Sequence, residues 1–113
     1  MVWETIFEHL KKDGFDVYSP GTKKGECKSK YIVVKVGGGS GTSFSTDQTY
    51  YDVMMYVPGN RYSELDNFVS DVKKSMKKLY PLVKPTGEET PSYYDDTYKA
   101  HMVSVVYSNY KKR

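Results

Sequence analysis

Cysteine is almost missing from this sequence, which holds a single one, Cys27. One thiol cannot close an intrachain disulfide, and it cannot build a cysteine-ligated metal cluster. Histidine is scarce as well, since His9 and His101 are the only two. Neither has a metal-ligating or catalytic partner at a recognisable spacing. The sequence therefore predicts no metal site, no cofactor and two structural histidines.

Long apolar runs are missing too. No segment approaches the ~20 apolar residues that a membrane-spanning helix needs. The N-terminus lacks a basic region followed by an apolar stretch, because Glu4 and His9 interrupt it. We therefore expect a soluble protein that is made in the cytosol and has no membrane partner.

The excess of positive over negative charge is small as well. The net charge of +3 is too small to indicate nucleic-acid binding by itself. What the chain has in abundance is tyrosine, with twelve among 113 residues. Tyrosine combines apolar area with a polar tip, so it suits half-buried sheet faces and protein interfaces. The length predicts a single domain over residues 1–113 with one core of sheet and helix.

The most regular stretch of the sequence combines one strand with one helix. Alternate apolar residues predict a strand with one face formed by Tyr51, Val53, Met55 and Val57. Pro58-Gly59-Asn60 ends that pattern. Proline has no backbone N–H to donate to a neighbouring strand, and glycine and asparagine are typical of turns. A helical stripe follows, made of Leu65, Phe68, Val69, Val72, Met76 and Leu79. Ser63 and Asp66 have nearly the spacing of a capping box at the helix start.

The other elements are shorter. The sequence predicts a helix over Val2–Lys12 that ends before Gly14, and an edge strand over Phe15–Tyr18. It also predicts an inner strand over Lys30–Val36 and a last strand over Tyr98–Tyr110. The order α-β-β-β-α-β indicates an α+β fold, with a mainly antiparallel four-stranded sheet packed by two helices.

Two segments and the tail are predicted to be flexible. Residues 37–48 are rich in glycine and serine, residues 81–97 contain several prolines, and residues 111–113 form a frayed tail. The glycine-rich segment lacks the Gly-Lys-Ser/Thr of a phosphate-binding loop, and a strand follows it instead of a helix. We interpret it as a hairpin tip that orders against a partner.

No catalytic motif is visible. Asp95 and Asp96 are adjacent, so in a strand they would point to opposite faces, and a turn role through Asx geometry is favoured. The chain also has no nucleophile or redox motif, and we predict a non-enzymatic protein without catalytic residues. A lysine cluster on the second helix has two readings, a solvated face or a nucleic-acid-facing one; its members are Lys73, Lys74, Lys77 and Lys78. The aromatic signature of an RNA-recognition sheet is missing.

Two stretches carry a resemblance to a known family. The first contains Tyr51-Asp52-Val53-Met54-Met55-Tyr56-Val57-Pro58, Tyr62-Ser63-Glu64-Leu65 and Val69-x-x-Val72-Lys73-x-x-Met76. The second contains Lys84-Pro85-Thr86, Glu89-Thr90-Pro91-Ser92-Tyr93-Tyr94-Asp95-Asp96-Thr97-Tyr98-Lys99-Ala100-His101-Met102 and Val105-Val106-Tyr107. Over roughly residues 50–110 the chain resembles small head-tail joining (minor capsid) proteins of tailed phages and prophages of Gram-positive bacteria. Within that group it is similar to the tail-terminator, or tail-completion, class.

The resemblance implies a tail-terminator-like α+β subunit that assembles into a closed ring, commonly a hexamer. Such a ring stops growth of the tail tube and docks the head connector, so its partners are the tail tube protein and the neck proteins. The location implied is the virion neck, after assembly in the bacterial cytoplasm. We expect the assembly interface to be formed by Gly38, Gly39, Ser40, Gly41, Phe44, Tyr93, Tyr94, Asp95 and Asp96. The four lysines would then face the ring lumen and the phage DNA that passes through it.

Two alternatives stay open. The first is a different neck or head-completion adaptor from the same group of phage structural proteins. The second is a small cytosolic nucleic-acid-binding module, which should bind DNA or RNA as an isolated subunit in a salt-dependent way.

Overall fold

The computed structural model describes residues 2–22, 25–40 and 46–112. These residues form two α-helices, six strands and a 3-10 helix over Gly59–Glu64. The helices and strands are α1 (Val2–Lys12), β1 (Val17–Tyr18), β2 (Tyr31–Ser40), β3 (Thr46–Pro58), α2 (Leu65–Lys77), β4 (Lys84–Glu89), β5 (Tyr93–Asp95) and β6 (Ala100–Lys112). The class is α+β, as the sequence predicts.

The sheet is mixed and, over the described ranges, has six strands instead of the predicted four. Its order is β1-β2-β3-β6-β4, and β5 pairs with β6 on the same side as β4. The β1–β2 pair is parallel, and the other pairings are antiparallel. The extra strands β4 and β5 lie in the segment predicted as a flexible loop over 81–97. They are short and rich in polar residues, so they show no alternation of apolar and polar side chains from which a strand could be predicted. They form strands because they pair with β6.

The main core lies between the helices and one face of the sheet. β3 contributes the face predicted from its alternation, and α1 and α2 contribute Ile6, Leu10, Phe68, Val72 and Met76. Trp3 stacks on Phe7 with ring centroids 4.9 Å apart, and its indole Nε1 donates to the Val34 carbonyl at 2.8 Å. α1 is thereby fixed to β2 by apolar burial and by a side-chain hydrogen bond. Gly14 follows α1 with a φ of 97°, a backbone conformation that favours glycine.

The predicted capping box at α2 is wrong. No side-chain capping hydrogen bond is made at Glu64, the residue that precedes the helix. The 3-10 helix runs directly into α2, and the Leu65 N–H donates to the Tyr62 carbonyl. Because backbone carbonyls of the preceding turn take up donors at the helix start, the Ser63 and Asp66 side chains have no capping role.

A second, smaller core covers part of the other sheet face. Tyr31 and Tyr56 stack there at 4.8 Å between ring centroids, and Tyr98 meets Tyr56 edge-on at 6.0 Å. The loop that contains Cys27 closes over these rings, since the Cys27 N–H donates to the Tyr98 carbonyl at 2.7 Å. Cys27 is 3% exposed, so its thiol is a buried structural group.

Strands extend into two segments predicted to be flexible. β2 continues to Ser40 and β3 begins at Thr46, so residues 37–40 and 46–48 of the segment predicted to be flexible belong to strands. The ladder shifts register between Val36 and Gly38, which places Gly37 in a bulge. The predicted frayed tail also differs, because Lys111 and Lys112 pair with Asp47 and Thr46 while Arg113 lies outside the described residues.

The last strand begins two residues later than predicted. The Asp95 carboxylate accepts the backbone N–H of Thr97 at 2.9 Å and of Tyr98 at 3.2 Å, which holds this segment in a turn. Lys99 then takes a positive φ of 51°, and β6 begins at Ala100. The turn role predicted for Asp95 is confirmed. Neither of the two helices described here is long and apolar enough to cross a membrane.

Candidate functional site

The sheet continues beyond the helices at one end. Tyr51 and Tyr107 are buried on the helix side of β3 and β6. The next residues on that face, Thr49 and Asn109, are half-buried, and Val36 of β2 is 42% exposed. Past this level the three strands stay paired, through Gly39↔Thr49 and Thr49↔Asn109. We call this part the three-stranded extension; it comprises residues 36–40 of β2, 46–50 of β3 and 108–112 of β6. It contributes to a long shape, with principal extents of 47 × 25 × 24 Å.

The structure places some of the predicted interface residues in this extension. Gly38, Gly39 and Ser40 lie in β2, opposite Tyr50, Thr49 and Gln48 of β3. Gly41 and Phe44 lie outside the described residues. The first predicted interface group is therefore strand backbone at the tip of the sheet, as far as the structure describes it.

The second predicted group lies at the opposite end of the sheet. Tyr93 and Tyr94 are each 47% exposed and belong to β5, which pairs with the first residues of β6. Five strand residues, 103–107, separate this pairing from the extension, or roughly 20 Å along β6. Asp95 holds a turn and the neighbouring Asp96 is exposed. The structure thus keeps the two predicted interface groups apart.

Tyr94 belongs to an aromatic cluster that sequence reasoning missed. Its ring centroid lies 5.2 Å from that of His101, and the Tyr62 ring lies 4.6 Å from the same imidazole. His101 Nε2 is 3.2 Å from the Gly59 carbonyl, so that nitrogen is the donor. A Cβ at Gly59 would stand 3.1 Å from the Lys99 carbonyl and from the Tyr94 ring, which makes glycine the fitting residue. Tyr62 is 55% exposed, so this end presents aromatic surface to solvent.

The four lysines predicted as a basic face do not share one environment. Lys73 pairs with Glu89 of β4, and Lys78 Nζ lies 3.3 Å from Asp13 Oδ2. Among the described residues, Lys74 and Lys77 form no ion pair, and both are exposed on α2. The unpaired positive charge of this face therefore comes from those two residues.

A groove of about 1190 Å³ lies between α2 and the β4–β5 edge. Its apolar lining includes Val69, Met76, Val83, Val103 and Val105. Its lining also carries charges of both signs, Lys73, Lys74 and Lys77 from α2 and Glu88 and Glu89 from β4. Sequence patterns do not predict this groove, because β4 has no recognisable strand pattern.

A polar network joins α1 to α2. Ser75 is 3% exposed, and its hydroxyl donates to Asp13 Oδ2 at 2.5 Å. His9 Nε2 lies 2.8 Å from the Ser75 carbonyl, so this nitrogen is the donor. The same nitrogen is 3.2 Å from the Ser75 hydroxyl but cannot also accept its proton. Ser75 is therefore not activated as a nucleophile, and the network fastens the two helices together.

The Asp13 carboxylate gives this network a testable pH dependence. The Ser75 hydrogen bond, followed by Lys78, lowers the pKa of Asp13 below its ordinary value. Because the pKa of Asp13 is lower in the folded state than in the unfolded state, its charge stabilises the fold at pH values above the unfolded-state pKa. That stabilisation is lost as the pH falls through the folded-state pKa. We expect Asp13→Asn to lower Tm near neutral pH and to approach the wild-type Tm below about pH 4. Thermal unfolding across pH measures this.

The matched control is Asp71→Asn, since Asp71 is an exposed residue of α2 outside the network. Its effect on Tm should be small and should vary little with pH. An Asp13→Asn deficit that stays constant from neutral to acidic pH would contradict the role assigned to the Asp13 charge.

Within the described ranges, no three histidine, cysteine or carboxylate side chains converge closely enough to hold a metal ion. The chain matches no family model, and no curated protein matches its sequence. The arrangement of its residues, together with the resemblance over residues 50–110, is the basis for a functional proposal.

Proposed function

We propose that this chain is a non-enzymatic assembly protein of a phage virion neck. It acts as a tail terminator: copies form a ring, expected to be hexameric, that caps the tail tube and docks the head connector. The observation that carries the proposal is the three-stranded extension, which continues past the core residues Tyr51 and Tyr107 and has outer strand edges that no described strand covers.

A ring in the neck needs separate surfaces for its neighbours in the ring and for the assemblies above and below. The subunit has such surfaces at its two ends. One end holds the extension, and the other holds the exposed rings of Tyr62, Tyr93 and Tyr94. Tyrosine is enriched at protein interfaces, because it supplies large contact area at a low cost in conformational entropy. We assign the tyrosine end to contacts with a tail tube protein or a neck protein.

The lysine side of α2 supports a further part of the proposal. Lys74 and Lys77 are exposed and unpaired among the described residues, so they are available to phosphate groups. In the ring they face the channel and contact phage DNA as it passes. The subunit is made in the bacterial cytoplasm and becomes part of the virion neck on assembly.

The test is the mass of the purified protein in solution, followed by its behaviour on purified tail tubes. Light scattering across concentration and negative-stain images should show rings, alone or at one end of added tubes. Rings that bind a different neck component, and never tubes, would favour the adaptor alternative. A monomer that ignores tubes but shifts DNA or RNA in a salt-dependent way would replace the proposal with a nucleic-acid-binding module.

Deletion of residues 38–45 tests the extension directly. The core residues that the structure describes all lie outside this range, so we expect the shortened chain to fold as a monomer with a circular dichroism spectrum close to that of the full chain. It should lose assembly, with ring formation reduced at least about tenfold at equal concentration, because the tip of the sheet is gone. Size-exclusion chromatography with light scattering measures both properties. Normal rings from the deleted chain would remove the extension from the interface.

A further inference from the structure

The two outer strands of the three-stranded extension have free edges on opposite sides of the sheet. We propose that neighbouring copies join there: the free edge of β2 in one copy pairs, strand to strand, with the free edge of β6 in the next. The inference deepens the proposed ring and rests on it, because it specifies which backbone makes the ring contact.

The β2 edge follows from the direction of its backbone groups. The Ile32 N–H donates outward to the Asp16 carbonyl at 2.8 Å, and the Val34 carbonyl points outward to the Trp3 indole. Strand alternation makes Val36 the next outward residue. The bulge at Gly37 shifts the alternation by one residue, so Gly39 is the next residue whose backbone groups point away from β3. β1 pairs only with Ile32 and Val33, and no described strand covers β2 beyond it.

The β6 edge is found in the same way. The Ser104 carbonyl accepts the Thr90 N–H at 2.9 Å, and the Val106 carbonyl accepts the Thr86 hydroxyl at 3.1 Å, so even-numbered residues point away from β3. Pairing with β4 starts at Ser108, opposite Lys84. The backbone groups of residues 110 and 112 therefore face outward past the end of β4. The Leu82 carbonyl, just before β4, accepts a hydrogen bond from Asn109 Nδ2 at 2.6 Å, and no described strand meets β6 beyond that contact.

The geometry of the two edges identifies a second copy as the occupant. β2 and β6 both run antiparallel to β3, so they run in the same direction. Their free edges lie at the same end of the sheet and on its opposite sides. A second copy placed beside the first can therefore set its β2 against β6 as a parallel pair, which extends the sheet. Each copy uses both edges once, and such a head-to-tail contact generates a ring when the rotation between neighbouring copies closes.

The residue types on these edges allow the pairing. Residues 36–40 read Val-Gly-Gly-Gly-Ser, without the charges or proline that block an edge strand. Val36, which is 42% exposed in the single subunit, would gain apolar cover from the neighbour.

Val36→Pro tests the pairing, and Val36→Thr is its matched control. Proline removes the outward N–H and is tolerated on an edge strand, whereas threonine keeps that N–H and the β-branched shape. We expect Val36→Pro to fold, by circular dichroism and Tm, but to assemble at least about tenfold less than wild type. Val36→Thr should assemble within about threefold of wild type. Val36→Pro rings at wild-type level would overturn the edge pairing.

Hydrogen exchange on the wild-type protein covers the case in which Val36→Pro does not fold. The amides of Val36 and Gly39 should exchange at least about tenfold more slowly in assembled protein than in dilute monomer. Unchanged exchange at both amides would overturn the inference while leaving the ring intact. Protected amides in an oligomer that never caps tail tubes would support the edge pairing and reject the tail-terminator role. A wild-type chain that stays monomeric even on tubes would reject both.

Discussion

Met55→Ala is expected to lower the free energy of unfolding by about 2–5 kcal/mol, the range for large-to-small changes in a core. Met55 is 0% exposed and belongs to the main core between sheet and helices. Truncation removes its buried contacts and leaves a cavity that the packed strand cannot refill. For a domain with a total stability of about 5–15 kcal/mol, this is a large share. Urea denaturation at neutral pH measures the loss.

The neighbouring residue provides the control. Met54 has the same side chain in the same strand but lies on the other sheet face, half-buried beside the smaller core. Met54→Ala should lower the free energy of unfolding by only about 1 kcal/mol, because the half-buried Met54 side chain removes less apolar area from water on folding. Equal losses for the two variants would contradict the assignment of the two β3 faces.

Alkaline pH is the second condition with a large expected effect. Burial raises the pKa of Tyr56 and of Tyr107 to about 12, and burial also raises the pKa of Tyr31. A raised folded-state pKa gives stability that is fully present below the unfolded value, near 10, and is lost as the pH rises through the folded value. Each of these tyrosines should therefore cost about 1.4 kcal/mol per pH unit in that window. Three such rings together remove about 4 kcal/mol by about pH 11.

Phenylalanine variants separate this effect from general alkaline damage. In Tyr56→Phe and Tyr107→Phe, the stability difference between about pH 8 and about pH 11 should shrink by about 1.4 kcal/mol each. Tyr62→Phe is the control, because Tyr62 is 55% exposed and should leave the difference unchanged. Urea unfolding at the two pH values, with tyrosinate absorbance as a second signal, gives the result. An alkaline loss of stability that neither buried-site variant reduces would contradict the explanation.

The sequence predicts the parts of this fold that depend on a repeated burial pattern. Alternation at Tyr51, Val53, Met55 and Val57 identifies β3 and its buried face, because every second side chain of a strand points the same way. The spacing of Leu65, Phe68, Val72 and Met76 identifies α2 for the corresponding helical reason. Both elements bury one face, so their packing on each other follows.

Features that depend on long-range pairing are invisible to such patterns. β4 contains Pro85 and Gly87, and its ladder breaks between Pro85 and Glu89, so local propensity predicts a loop. Ser75 and His9 meet across 66 positions of the chain, a contact that no spacing rule contains. The groove depends on β4 and was missed for the same reason. For the candidate interface, the glycine-rich composition only directs attention to residues 37–48, whereas the strand edges follow from the order of the sheet.

The order of the sheet also affects how the subunit is made. β3 is the middle strand, and its partner on one side, β6, comes long after it in the chain and pairs along its whole length. Such non-local pairing makes folding slow relative to a helical bundle, because a large loop must close before its contacts form. During synthesis, the apolar face of β3 and the stripe of α2 leave the ribosome before β6 can complete the core. The nascent chain thus has an interval in which chaperone binding competes with aggregation, and this interval ends only when β6 has paired with β3.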